Sequence, residues 1–159
     1  MSLLYPGGNV FTTAVTQYRH EPLTDREATN RIIVQIELLG LRTRAMVDTG
    51  GVYLLCSHEL ASLLDFERRP SLEETVMQVP RLGRVRGTLY RVPVTVLPES
   101  GVVPPFEVTT FVPSDPAPME REPWAILGYH CCLEWLRFAV DPAEGRFYFG
   151  APEVWMVDG

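Results

Sequence analysis

From Arg31 onward the chain alternates: Ile32, Val34, Ile36 and Leu38 interleave with Ile33, Gln35 and Glu37, the period of a half-buried strand. Leu39-Gly40 supplies a turn, and residues 41–47 return as the partner strand, closing on Ala45-Met46-Val47. At residues 57–64 the spacing turns helical, with Ser57 as N-cap and Leu60, Leu63 and Leu64 as the apolar stripe. Residues 75–80 and 87–97 read as two strands joined by a glycine-bearing tip that carries Arg81, Leu82, Gly83, Arg84, Val85 and Arg86. Residues 106–112 form another strand, 113–123 a Pro-rich surface connection, and 125–127 a short buried strand. Tyr129, Leu133 and Leu136 keep helical spacing, and residues 137–140 and 146–149 make a last hairpin. Residues 1–30 are patterned weakly and read as an N-terminal extension, with an edge strand or dimer contact around 10–18; residues 151–159 read as a tail. The sum is a mostly β chain with one or two short helices, which suits a small closed barrel.

Composition narrows the classes. With 159 residues, 46% hydrophobic and 21% charged, the chain fits one domain with a substantial core. A formal net charge of -6 argues against a nucleic-acid partner, whose footprint would be basic and clustered. All 14 cationic residues are Arg, which we read as compositional bias. The three cysteines are odd in number and two are adjacent, Cys131 and Cys132, which suits no common disulfide framework. No Cys-x-x-Cys or His-x-x-x-His spacing suggests zinc, so no metal and no other cofactor is expected. Reduced thiols, no basic-then-apolar start and no run of membrane-spanning length lead to an expectation of a cytoplasmic protein without a membrane partner.

The chemistry concentrates at Asp48-Thr49-Gly50. A carboxylate that closes an apolar strand is unusual, because strand ends entering a core seldom carry one without a task. Far downstream a second apolar run, Trp124-Ala125-Ile126-Leu127, ends on Gly128. An apolar-apolar-Asp-Thr-Gly followed by Ile-Leu-Gly resembles the retropepsin-like aspartic proteases, over roughly residues 31–149. The helix after the motif and the long spacing to Ile-Leu-Gly are closer to cellular and bacterial single-lobe forms than to compact viral ones.

The resemblance implies a closed β-barrel and a catalytic pair of aspartates sharing one proton. The chain holds a single Asp-Thr-Gly, so the second carboxylate would be Asp48 of another copy in a two-fold homodimer. It further implies that Thr49 locks the two loops across the axis, that Gly50 permits close approach, and that Gly128 lets the chain cross beside the loop. Residues 82–87 sit where the family places its flap, so Gly51, Leu82, Gly83, Arg84, Val85, Ile126 and Gly128 are the expected substrate-binding residues for an extended peptide or protein segment.

Two features depart from the family pattern. Gly51 stands where Ala or Ser is usual, and the tip carries Arg81, Arg84 and Arg86 where viral flaps are glycine-rich and apolar. The arginines imply an acidic substrate or a hairpin that is no flap, and they keep open a catalytically silent domain serving as a peptide-binding or dimerisation module. Blander readings also stand beside each residue. Asp48 could bond turn amides, Gly128 could serve a simple turn, and the arginines could be a solvent face. Cys131 and Cys132 read as small buried hydrophobes; His130 is adjacent in sequence and does not make a cysteine nucleophile by itself.

Overall fold

The computed structural model describes residues 2–79, 83–115 and 123–152. The hairpin tip with Arg81 and Leu82, and most of the Pro-rich connection, lie outside the described residues. The strands are β1 (Ala14–Gln17), β2 (Arg19–Glu21), β3 (Arg31–Leu38), β4 (Leu41–Val47), β5 (Leu54–Cys56), β6 (Glu73–Val79), β7 (Gly83–Val96), β8 (Ser100–Gly101), β9 (Phe106–Pro113), β10 (Ala125–Leu127), β11 (Arg137–Asp141) and β12 (Arg146–Gly150). One helix, α1 (His58–Leu63), follows β5, and 3-10 turns span Phe66–Arg68 and Leu133–Trp135.

The eight-stranded sheet runs β2-β3-β4-β10-β5-β9-β7-β6, and β3 also pairs with β7. Pairing therefore leads from β3 through β4, β10, β5, β9 and β7 back to β3. A buried cluster shared by these strands and α1 holds Val34, Ile36, Leu38, Leu54, Leu60, Val92, Val94, Val108 and Leu127. The β3–β4 hairpin turns through Leu39 (φ 52°) and Gly40 (φ 86°), two positive-φ residues whose twist suits a two-residue connection.

A second sheet, β11-β12-β1-β8, packs its Phe147 and Phe149 into the same core. The weakly patterned N-terminal segment supplies β1, flanked on both sides by β12 and β8, and β2, which pairs with β3. Glu99 N–H bonds to the Val15 carbonyl, and Gln17 N–H donates to the Glu99 carboxylate, tying β1 to the segment before β8.

Two local expectations need correction. Leu63 is 64% exposed; the buried face of α1 is Leu60 and Ala61, continued by Leu64 just past its end. Within residues 129–136 no α-helix forms and only Leu133–Trp135 wind, as a 3-10 turn, because Cys131 takes a positive φ of 54° that interrupts α-helical winding. Leu133 and Leu136 are nonetheless buried, as their spacing implies. Ser57 does cap α1, accepting from Leu60 N–H at 3.2 Å. The same hydroxyl accepts from Trp124 N–H at 3.1 Å, so one buried oxygen joins the helix start to the approach to β10.

Candidate active site

Asp48 follows β4 directly, and its backbone N–H continues the parallel β4–β10 ladder by donating to Leu127 O at 2.9 Å. The loop then closes on itself: Gly51 N–H donates to Asp48 O, and Gly50 N–H donates to Asp48 Oδ1 at 3.1 Å. That last bond fixes the carboxylate's orientation and leaves it other lone pairs for a water or a proton.

The downstream chain threads between the limbs of this loop. Gly128 N–H donates to Tyr53 O at 2.9 Å and Tyr129 N–H to Gly51 O at 2.8 Å, while Tyr53 N–H returns to His130 O at 2.9 Å. Gly128 is buried at the crossing, and a Cβ there would collide with Tyr53 O and stand 2.9 Å from two carbonyl carbons of the loop. Glycine is therefore required by close approach of backbone to backbone. At Gly51 a Cβ would lie 3.3 Å from Gly128 Cα and 3.4 Å from Asp48 Oδ2, close but tolerable. Placing the usual Ala at Gly51 is a matter of a few tenths of an ångström. Tyr53 (φ 62°) and Cys131 (φ 54°) concentrate strained backbone at this crossing.

Asp48 is half-buried, with Thr49 and Gly50 exposed beside it. Two large side chains of the crossing, Val52 and Tyr129, are 44% and 46% exposed.

The β6–β7 hairpin has two unlike faces. Arg84 pairs with Gln78 and Arg86 with Val76, all exposed on one side. Val85, Met77, Val79 and Leu89 turn the other way into an apolar cluster with Phe111, Trp124, Ile33, Met46, Leu55 and Ile126. Gly87 makes the packing possible, since a Cβ there would strike the Phe111 ring and the Val112 carbonyl. The same cluster thus contains the hairpin's inner face and residues flanking the Asp48 loop on β4, β5 and β10. Sequence reasoning missed Met77, Val79, Leu89 and Phe111; the alternation of Thr75, Met77 and Val79 with Glu74, Val76 and Gln78 was the available signal.

Of the expected site residues, Asp48, Thr49, Gly50, Gly51 and Gly128 come together at the crossing. Ile126 and Val85 meet in the apolar cluster, Gly83 and Arg84 start β7, and Leu82 lies outside the described residues. Cys132 is fully buried, and desolvation pushes its thiol up to about 12, so it stays protonated and inert. Cys131 is only partly buried; with His130 and Glu134 it forms a compact set of donor atoms beside the crossing. Asp141 accepts from Ala143 and Glu144 N–H, a turn role. Among the described residues no helix is long and apolar enough to cross a membrane.

The architecture is that of a retropepsin-like fold. One similar solved structure is a retropepsin-like aspartic protease from Rickettsia conorii, with TM-score 0.52 and 13% identity over 88% of this chain and 95% of that one. Another is the retroviral protease-like domain of Ddi1 from Leishmania major, with TM-score 0.50 and 14% identity over 77% of this chain and 94% of that one. No protein-family model and no curated protein matches the chain.

Proposed function

We propose that the protein is an aspartic endopeptidase whose active site forms on the two-fold axis of a homodimer, from Asp48 of each copy. The observation that carries this reading is the Asp48 loop. It presents a half-buried carboxylate, oriented by Gly50 N–H and crossed by the Gly128 strand, within the retropepsin-like fold. Thr49, Val52 and Tyr129, in the same loop and crossing, are exposed, a surface that a second copy would cover.

In the mechanism, one carboxylate of the pair is ionised and the other protonated, because two charges sharing one water repel strongly. The ionised group takes a proton from a water between them as its oxygen attacks the scissile carbonyl carbon. The protonated group gives its proton to the carbonyl oxygen, forming a neutral gem-diol. Collapse breaks the C–N bond, returns a proton to the leaving nitrogen and regenerates the shared-proton pair. No cofactor enters this reaction. Thr49 would bond across the axis, and Gly50 would permit close contact of the two loops.

Substrate would lie extended between the crossing and the β6–β7 hairpin, touching Gly51, Ile126 and Gly128 below and Gly83 and Val85 on the hairpin's inner face. The hairpin's inner face supports a flap role, for it is apolar where a peptide side chain would sit. Because Arg84 and Arg86 lie on the opposite face, they do not argue for an acidic substrate. Residues 31–150 would form the protease domain, as a closed barrel, and the cytoplasm would be its compartment.

The test is cleavage of a diverse pool of unfolded peptides from about pH 3.5 to 7.5, the range of shared-proton carboxylate pairs, read by mass spectrometry for wild type and Asp48→Asn. Wild-type cleavage absent from the variant is the expected result. A dimer that binds extended peptides without turnover at any pH would instead make it a silent binding module.

A further inference from the structure

The segment that follows the Gly128 crossing carries three different donor side chains in one place. His130, Cys131 and Glu134 each offer one ligand atom, and these atoms all lie within 4.8 Å of one another. His130 Nδ1 stands 3.5 Å from Glu134 Oε1. The same oxygen accepts Cys131 N–H at 2.6 Å, which draws the carboxylate over the residue bearing the thiol.

The backbone beneath is held at nearly every step. Cys131 O accepts from Thr109 N–H, Glu134 N–H donates to Tyr129 O, and Leu133 N–H donates to Gly128 O. The positive φ of Cys131 sends the two adjacent cysteines to different environments: Cys132 is fully buried in the core, and Cys131 faces the partly open cluster. This division explains a cysteine pair that no disulfide framework accommodates.

We propose that His130, Cys131 and Glu134 form a binding site for a divalent transition metal of the zinc class. Imidazole nitrogen, thiolate sulfur and carboxylate oxygen are the three donor types that borderline zinc accepts. Tetrahedral zinc would bring such donors to separations of about 3.5 Å, given metal–ligand bonds of about 2.0 to 2.3 Å. Three protein ligands leave a fourth position for water. His130 is exposed, so an ion has a direct path from solvent.

The site is wired to the Asp48 loop. Val52 forms a parallel bridge with His130, and Tyr53 N–H donates to His130 O. A bound ion would therefore stiffen the crossing on which the loop rests, whatever reaction the loop performs. The inference stands on these three side chains and does not depend on the peptidase reading.

The experiment uses the full chain, stripped of metal with a chelator, reduced and returned to thiol-free buffer near pH 7. Zinc affinity is measured by competition with a chromogenic chelator, and cobalt is bound as a spectroscopic stand-in. The expected result is one equivalent of zinc per chain, a thiolate-to-cobalt charge-transfer band, and a rise in Tm with zinc. Affinity should fall at least about tenfold in Cys131→Ser, His130→Ala and Glu134→Gln, and hold in Cys132→Ser. A cobalt spectrum without the thiolate band, no stoichiometric binding, or zinc affinity unchanged in Cys131→Ser overturns the site. The cobalt spectrum is read on the wild-type chain, so it decides the question even where a variant fails to fold.

Discussion

At the residue scale, two glycines of the crossing differ in a way that can be measured. Gly128 meets backbone atoms that cannot yield, so Gly128→Ala should destabilise the protein by at least about 3 kcal/mol in urea unfolding. Gly51→Ala would press on Asp48 O and Gly128 Cα at 3.3 Å, neighbours that need give by only a few tenths of an ångström, and should change stability by under about 1 kcal/mol. Equal effects would show that the crossing is packed differently. Asp48→Asn keeps an oxygen that can accept the Gly50 N–H, so its unfolding midpoint should stay close to wild type. Cys132 supplies a pH test. Its folded thiol holds a proton up to about 12 against an ordinary 9.0, so the native state binds more protons than the unfolded chain between those values. Its contribution is full below about pH 9 and is lost as pH rises toward 12, and wild-type stability should fall more steeply there than that of Cys132→Ala. Parallel slopes would contradict the buried-thiol assignment.

At the element scale, legibility in the sequence followed the range of the contacts. The β3–β4 hairpin was plain because Val34, Ile36 and Leu38 alternate with Gln35 and Glu37 and Leu39-Gly40 suits its turn. β10 was legible as a bounded apolar run. β1 was legible only as a weakly patterned edge strand around 10–18; its place between β12 and β8 was not, because those partners lie far along the chain. Leu63 was misplaced on the α1 stripe, since a six-residue helix fixes its buried face by docking rather than by period. The hairpin arginines were visible, but their direction depended on register: Val85 and Gly87 turn inward, so Arg84 and Arg86 turn out. Arg84→Ala with Arg86→Ala should therefore shift stability by no more than about 0.5 kcal/mol and leave any preference for acidic peptides unchanged. A large loss of binding to acidic peptides alone would place the guanidinium groups in the substrate path. Ser57→Ala breaks the helix cap and the Trp124 bond together and should cost about 1–3 kcal/mol.

At the scale of the whole molecule, the Asp48 loop carries one carboxylate among the described residues, and Asp141 is occupied in a turn. The central claim is that two copies complete each other. Mixing wild type with Asp48→Asn at constant total concentration, with exchange of subunits, tests it directly. If both aspartates are needed, activity scales with the square of the wild-type fraction, so an equal mixture retains about a quarter of full activity. A linear decline, to about half, would mean that each chain works alone and would contradict the shared site.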